Sequence, residues 1–208
     1  MYIEAIYMGK TRTEDGQLLY HLTALRNLDS IIQYGLLPRS QLIQNGMCFE
    51  DVADPSIIDK RSVLNLDRYV PFHFHPYSSY DVAVKNSHHE EFIYICIYRT
   101  YARRMGFLVL PMHPLSVTDH FELLPYDEGI KQIDWDAMEQ SATLSPYHKS
   151  VHMAECLTDQ PVPVNGFFAI YVRNEDVQKI VQEKLKSVFP PYRPHVNVQR
   201  KWFPDERM

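Results

Sequence analysis

The segment "EFIYICIYRTY" at residues 91–101 constrains the fold more than any other, because it is a long run of β-branched and aromatic residues. Such residues favour extended backbone, so the run predicts a β-strand. Pro71 in "RYVPFHF" has no backbone N–H and restricts its own strand to an edge or a bulge. Beyond residues 91–101, the predicted strands cover residues 18–25, 68–74, 107–111, 153–157, 166–172 and 195–203.

Helical spacing is found in fewer segments. In "RNLDSIIQYGLL", Asn27 is a suitable N-cap, an apolar stripe follows it, and Gly35 is suited to the position after the last turn. A second helix is predicted over residues 174–189, with Asn174 as its cap, and residues 126–140 have helical character. Strands dominate and helices pack outside them, so the predicted class is α+β.

Size and composition predict one ordinary folded domain over residues 1–208. The chain has 208 residues, of which 45% are hydrophobic and 23% charged, so it can bury one substantial core. Residues 39–67 are polar and irregular, with a helical turn near "PSIIDKRSVLN". A loop of that length in a compact domain is usually functional or mobile.

Charge, cysteine usage and hydropathy narrow the functional classes. A net charge of −5 argues against a protein that coats duplex nucleic acid nonspecifically. Two stretches are nevertheless locally basic, "YRTYARR" at residues 98–104 and the segment 190–207, and a solvated face explains them as well as a binding groove does. We expect no signal peptide and no membrane span, and therefore a cytoplasmic protein.

Metal, disulfide and common nucleotide-binding motifs are absent. An odd number of cysteines without CxxC spacing predicts neither a disulfide framework nor a structural zinc site. Histidine pairs such as His73 with His75 invite a metal site, but no third ligand stands in a fixed relation to them, so we expect no metal. Neither a GxSxG elbow nor a Gly-rich phosphate loop occurs. The other histidines that suggest a metal site by their residue type are His88, His89, His113, His120, His148 and His152.

Glu155 stands out because it is the one carboxylate in the short apolar segment "MAECL". A charged side chain is rarely buried unless a partner satisfies it. Either Glu155 faces water at a sheet edge, or a ligand or a cation pairs with it.

Four blocks in order resemble the DarT family of bacterial toxins, which ADP-ribosylate DNA bases with NAD. They are "YHLTALRNLDSIIQYGLL", "YVPFHF", "AECL" and "PHVNVQRKWF", and they extend from about Tyr20 to Phe203. The resemblance implies an ADP-ribosyltransferase-like split β-core, two small packed sheets with flanking helices and NAD in the cleft between them. It also implies a DNA base as substrate and a macrodomain-type antitoxin as partner. We expect the DNA to be single-stranded, because a base inside a duplex hides the nitrogen that must attack.

The resemblance assigns roles to individual residues. Glu155 and Arg61 align with the family's catalytic glutamate and arginine. Tyr69 lies among tyrosines that offer flat faces for stacking. A carboxylate beside the NAD ribose would stabilise the positive charge that develops as nicotinamide leaves. His21, Thr23 and Asn27 match NAD-contacting positions by the same resemblance.

One departure leaves the target open. The family follows its Phe-x-Phe strand with a Pro-Arg-Ser-Pro-Met-like segment, whereas this chain has "HPYSSYDV", so Tyr77 and Tyr80 inherit no role. An ADP-ribosyltransferase that acts on RNA or protein remains an alternative. So does a catalytically silent module that binds nucleotide or nucleic acid, and a metal-dependent hydrolase would instead contain stoichiometric zinc.

Overall fold

Eight strands form one hydrogen-bonded sheet in the computed structural model, which describes residues 12–51, 55–87, 90–114 and 119–203. The order across the sheet is β5-β4-β6-β2-β1-β3-β7-β8, and neighbours are antiparallel except for the parallel pair β7 and β8. The strands are Leu18–Ala24 (β1), Val70–His73 (β2), Phe92–Tyr98 (β3), Leu108–Leu110 (β4), Leu124–Pro125 (β5), Glu155–Thr158 (β6), Ala169–Val172 (β7) and His195–Val198 (β8).

Helices connect the strands and cover the sheet, which confirms the α+β class. Short 3-10 turns adjoin two of them, before α1 and after α9. The α-helices are Leu28–Tyr34 (α1), Arg39–Gln44 (α2), Pro55–Val63 (α3), Ser79–Ser87 (α4), Arg99–Arg104 (α5), Tyr126–Gln132 (α6), Trp135–Glu139 (α7), Pro146–His152 (α8) and Glu175–Lys184 (α9).

The sheet divides between β1 and β2, where Tyr20 and His73 form the one residue pair in register. The expected two small sheets are therefore two halves of a single strand order. Pro71 explains the division: its carbonyl accepts a hydrogen bond from the His21 ring at 2.7 Å, so that edge of β2 faces β1. The N and C=O of a strand residue lie on the same edge, and a proline there has no N–H to continue the ladder.

This placement corrects the expectation for Pro71. We predicted an edge strand or a bulge, but β2 is an internal strand that also pairs with β6. The break in hydrogen bonding that a proline requires occurs instead at the junction between the two halves.

The core lies on both faces of β1 and β3, which pair over seven residues. Residues directly opposite in an antiparallel pair share a face. Leu19 and Ile97 belong to the larger apolar cluster on one face, while Leu22 and Tyr94 belong to a smaller cluster on the other. Both faces are covered, so β3 is buried along nearly its whole length.

The sequence predictions for residues 39–67 and 91–101 are wrong in part, and the strands predicted over 166–172 and 195–203 are shorter than expected. Residues 39–67 contain the helices α2 and α3 rather than one irregular loop with a single turn. Their polar sequences have no strong apolar stripe, which is why periodicity missed them. The strand expected over 91–101 ends at Tyr98, and Arg99 begins α5. The Arg99 guanidinium turns inward and donates to the carbonyls of Thr13 and Glu14.

The predicted side-chain cap is confirmed for α9 but not for α1. The Asn174 side chain accepts hydrogen bonds from the backbone at Asp176 and Val177, as an N-cap does. Asn27 occupies the N-cap position of α1, but its side chain bonds elsewhere. Gly35 follows α1 with φ +83°, where a side chain would be strained.

Within the described ranges, no helix is long and apolar enough to cross a membrane. His88 and His89, which we considered as metal ligands, lie outside those ranges.

Candidate active site

A cavity of about 160 Å³ lies where β1 and β2 diverge, and helix α3 covers one side of it. Five of the six predicted site residues line it. The sixth, Glu155, lies directly behind Arg61. The five are His21, Thr23, Asn27, Arg61 and Tyr69.

Glu155 and Arg61 form a buried ion pair. Glu155 is the first residue of β6, where it pairs in register with His73 on one side and Leu110 on the other. Arg61 lies in the last turn of α3 rather than in a mobile loop. Its Nη1 donates to Glu155 Oε1 at 2.6 Å, and its Nη2 donates to the carbonyl of Leu66. The carboxylate is therefore neither at an edge nor in water.

The second carboxylate oxygen of Glu155 has no partner among the described residues. Oε2 is buried, and no donor lies within hydrogen-bonding distance of it. A buried acceptor left unpaired costs roughly 1–3 kcal/mol. A hydroxyl donor brought to this oxygen would recover that free energy, so the site is suited to a ligand that presents one.

Charges around Glu155 decide its ionisation. Burial by itself raises the pKa of Glu155, but Arg61, followed by His113 and His73, lowers that pKa below the usual 4.5 overall. The carboxylate is therefore ionised at neutral pH. His113 Nε2 lies 3.8 Å from Oε1, while its Nδ1 bonds the Pro114 carbonyl. Because a carbonyl can only accept, Nδ1 carries the proton of the neutral ring and Nε2 does not donate to Glu155.

His21 presents an acceptor to the cavity. Its Nδ1 donates to the Pro71 carbonyl, which leaves Nε2 unprotonated in the neutral ring. Burial lowers the pKa of His21 to about 4, although the hydrogen bond to the Pro71 carbonyl acts in the opposite direction. The ring is therefore neutral at physiological pH, and Nε2 can accept a hydrogen bond from a hydroxyl group.

Thr23 and Asn27 are connected to each other. Asn27 Nδ2 donates to Thr23 Oγ1 and to the Glu50 carbonyl, and its Oδ1 accepts from the Glu50 backbone N–H. Both amide protons of Asn27 are thus used within the protein. The Thr23 hydroxyl accepts from Asn27 and keeps its own proton for another acceptor.

The tyrosines of residues 69–80 divide between the cavity and solvent. Tyr69 lines the cavity, and the Arg68 guanidinium lies 5.5 Å from the centre of its ring. Tyr80 also lines the cavity, whereas Tyr77 is half exposed and does not.

Two further ionisable groups of the site, His113 and Asp81, were not predicted from the sequence. His113 approaches Glu155 because β4 pairs with β6, a register that nothing in the local sequence reveals. Asp81 lines the cavity on α4, is fully buried, and has an Oδ1 without a hydrogen-bond partner in the described part of the chain. Burial is the main reason that the pKa of Asp81 is raised.

The histidine pair considered for a metal separates in the fold. His73 belongs to β2 and bonds the Ala154 carbonyl, while His75 lies beyond the strand against the His152 ring at 5.2 Å. No group of three or more histidine, cysteine or acidic side chains is arranged around a common point within the described residues.

The profile of the family described as "ssDNA thymidine ADP-ribosyltransferase, DarT" matches residues 20–204. The chain belongs to the DarT family. That family description also confirms the predicted enzyme class, a DNA ADP-ribosyltransferase. A comparison of this DarT family member with curated proteins gives no match.

Solved DarT structures share the fold. Thermus sp. 2.9 DarT in complex with ADP-ribosylated ssDNA has a TM-score of 0.78 and 22% identity, over 90% of this chain and 96% of that one. The same Thermus protein in complex with NAD+ has a TM-score of 0.72 and 22% identity, over 90% and 98%. Thermosipho africanus DarTG in complex with ADP-ribose has a TM-score of 0.71 and 21% identity, over 90% and 51%. These likenesses confirm the ADP-ribosyltransferase-like fold.

Proposed function

We propose that this protein transfers ADP-ribose from NAD to the base of thymidine in single-stranded DNA and releases nicotinamide. The observation that carries the proposal is the ionised, buried Glu155, which is paired through Oε1 and has an unpaired Oε2 behind the cavity. Membership of the DarT family supports the same reaction.

Glu155 stabilises the charge that develops during transfer. Breaking the bond between nicotinamide and ribose creates positive charge on the sugar, and a nearby carboxylate lowers the free energy of that state. Oε2 accepts a hydrogen bond from a ribose hydroxyl and so gains the partner that it lacks. An ionised carboxylate can also take the proton from the attacking base nitrogen.

Arg61 covers Glu155 and has to move for the reaction. The cavity of about 160 Å³ is smaller than the roughly 300–1,000 Å³ that is usual for small-molecule sites. Arg61 lies on a helix with its guanidinium between the cavity and Glu155, so its displacement both enlarges the space and uncovers the carboxylate. A displaced guanidinium can pair bidentately with the pyrophosphate or with the target base.

The remaining residues that line the cavity bind the substrate or hold its binding groups in position. His21 Nε2 accepts from a ribose hydroxyl, Thr23 donates its hydroxyl proton, and Tyr69 offers a ring face for stacking. Asn27 acts as a positioning residue, because its amide holds Thr23 and the backbone at Glu50.

We also propose the cellular setting. The chain acts as one domain over residues 1–208 in the cytoplasm, as a toxin that a macrodomain-type antitoxin neutralises. The match with Thermosipho africanus DarTG, of which this chain covers about half, supports the toxin role. Growth of cells that express the chain, with and without a macrodomain partner, tests it.

Labelled NAD and defined oligonucleotides test the reaction itself. We expect label to enter single-stranded DNA that contains thymidine, but not the same DNA without thymidine and not the duplex, in which the base nitrogen is hidden. Glu155→Gln should lower the rate by about a hundred- to ten-thousandfold, whereas Glu128→Gln, an exposed site on α6, should not change it. Label that enters only RNA or protein would overturn the DNA assignment. Failure to release nicotinamide with any acceptor would favour a binding module.

A further inference from the structure

A second groove of about 580 Å³ lies at the other end of the central strands from the active site. We call it the Tyr98 groove. Tyr98 is opposite Leu18, whereas His21 is opposite Ile95, so the groove begins about 10 Å further along β1 and β3 than His21. Its walls are the end of β3, helix α5, residues 165–168 and residues 191–195.

The two locally basic segments of the sequence meet in this groove. Arg104 comes from residues 98–104, and Arg193 and His195 come from the C-terminal basic segment. Among the described residues that line it, none carries a carboxylate. The groove is thus a locally cationic surface on a chain whose net charge is −5.

The guanidinium groups of the groove are available to an anion. Within the described part of the chain, neither Arg104 nor Arg193 forms an ion pair. Arg193 uses Nη2 to bond two backbone carbonyls, which orients the rest of its guanidinium. Other exposed arginines are already neutralised, as Arg103 is by Asp127 at 2.7 Å and Arg200 is by Glu175 at 2.6 Å.

Aromatic faces accompany these charges. Tyr98 is 38% exposed, with its ring centre 4.3 Å from that of Phe168, and Phe168 in turn contacts the His195 ring. Tyr192, which also lines the groove, is 55% exposed. Exposed aromatic rings beside unpaired guanidinium groups are the combination with which proteins bind single-stranded nucleic acid, because bases stack while phosphates pair with the cations.

The walls are held in place by the fold. The backbone of Phe168 donates to Cys96, and His195 donates to Phe168, so both loops are attached to the sheet. Gly166 lies so close to Tyr101 that an added Cβ would be 2.7 Å from its hydroxyl oxygen. The groove is therefore a preformed surface, which reduces the entropy lost on binding.

We propose that the Tyr98 groove binds a single-stranded DNA segment that flanks the thymidine being modified, with phosphates on Arg104 and Arg193 and bases against Tyr98 and Tyr192. This rests on the proposed DNA substrate and adds a second contact region, remote from the transfer site. It makes the protein prefer long single strands over short ones. An acidic protein partner would find the same cations, and the experiment separates the two.

Charge reversal and oligonucleotide length together test the proposal. The test variant is Arg104→Glu with Arg193→Glu, and the control is Lys131→Glu with Lys179→Glu, which changes net charge equally on exposed surfaces of α6 and α9. Transfer is measured with thymidine oligonucleotides of about 5 and about 25 nucleotides, the longer one exceeding a single site of about 4–16 nucleotides. Binding of the longer, fluorescently labelled strand is measured separately by anisotropy.

We expect the test variant to raise the KM for the longer strand by about tenfold or more. The KM for the shorter strand and the KM for NAD should not change. The slope of log affinity against log salt should become shallower by about 1.4, since each phosphate contact on a single strand contributes about 0.7. Tyr192→Ala should lower the affinity for the longer strand by about five- to hundredfold. The control Tyr147→Ala, at an exposed position on α8, should not change that affinity.

Three results would overturn the proposal. The first is unchanged affinity for the longer strand, and the second is an equal loss for both lengths. The third is loss of antitoxin binding with DNA binding intact, which would make the groove a protein interface. If even the wild type modifies no oligonucleotide, the proposed reaction is wrong, while the anisotropy measurement still decides whether the groove binds DNA.

Discussion

Replacement of Arg61 by methionine should destabilise the protein by about 3–5 kcal/mol near neutral pH, because it leaves the Glu155 charge buried without its cation. Arg61 Nη1 lies 2.6 Å from Glu155 Oε1, and only 4% of the Glu155 side chain and 15% of the Arg61 side chain are exposed. Glu155 is held in a strand paired on both sides, so it cannot turn to water. Methionine keeps the volume and removes the charge and the donors.

The pH dependence of this loss follows from the Glu155 carboxyl group. In the wild type its folded pKa lies below 4.5, so the ionised group adds stability above pH 4.5, and that stability is lost as pH falls. Without Arg61, less positive charge is left to oppose the effect of burial on Glu155, so the pKa of Glu155 rises above 4.5. The protonated group is then favoured, and stability falls as pH rises through the new pKa. The difference between variant and wild type should therefore grow from acid to neutral pH.

Urea unfolding at about pH 4.5 and about pH 7.5 measures this difference. Titrating groups that do not interact with Arg61 contribute equally to both proteins and cancel, whereas His21 does not, because the charge of Arg61 helps to lower the pKa of His21. Arg68→Met is the control, because Arg68 lies 3.8 Å from Asp159 with both side chains about half exposed, and it should cost less than about 1 kcal/mol at either pH. Adding Glu155→Leu to Arg61→Met should recover most of the loss. A cost for Arg61→Met below about 1 kcal/mol, or one that does not depend on pH, would refute the reasoning.

Three further outcomes are expected. The pKa of His21 is lowered from 6.5 to about 4, so wild-type stability should fall by up to about 3 kcal/mol as pH drops through that interval; the pH titration of His21→Phe should lack this fall. Phe72→Ala removes a fully buried ring that packs on Phe107 and should cost about 3–5 kcal/mol in urea unfolding. Gly129→Ala would place a Cβ 2.5 Å from Val109 and should lower the free energy of unfolding by about 1–3 kcal/mol in the same measurement. At an exposed helical position, a Gly→Ala substitution would instead stabilise the protein.

Local chemistry made part of the fold predictable. The aromatic and β-branched run at Phe92–Tyr98 and the Asn174 cap were confirmed, because each depends on residues adjacent in sequence. The helix α3 was missed as more than a turn because its sequence has no marked apolar face. Its helical backbone is nevertheless what brings Arg61 to Glu155.

The site was predictable to the extent that its residues belong to ordered blocks of sequence. Five predicted residues line one cavity because β1, the turn before α1, helix α3 and the start of β2 converge there, although Arg61 on α3 belongs to none of the four blocks. Contacts made by pairing between distant strands were not accessible in this way. His113 reaches Glu155 through the β4–β6 register, and Pro71 marks an internal junction rather than an edge.

That proline makes stability and binding capacity compete at a single position. An amino acid with a backbone N–H at residue 71 could extend the ladder across to β1 and stiffen the sheet. The same closure would consume the space in which His21 and Thr23 face a ligand. Attempts to make this protein more heat-resistant by completing the hydrogen-bond ladder at residue 71 should therefore reduce its activity.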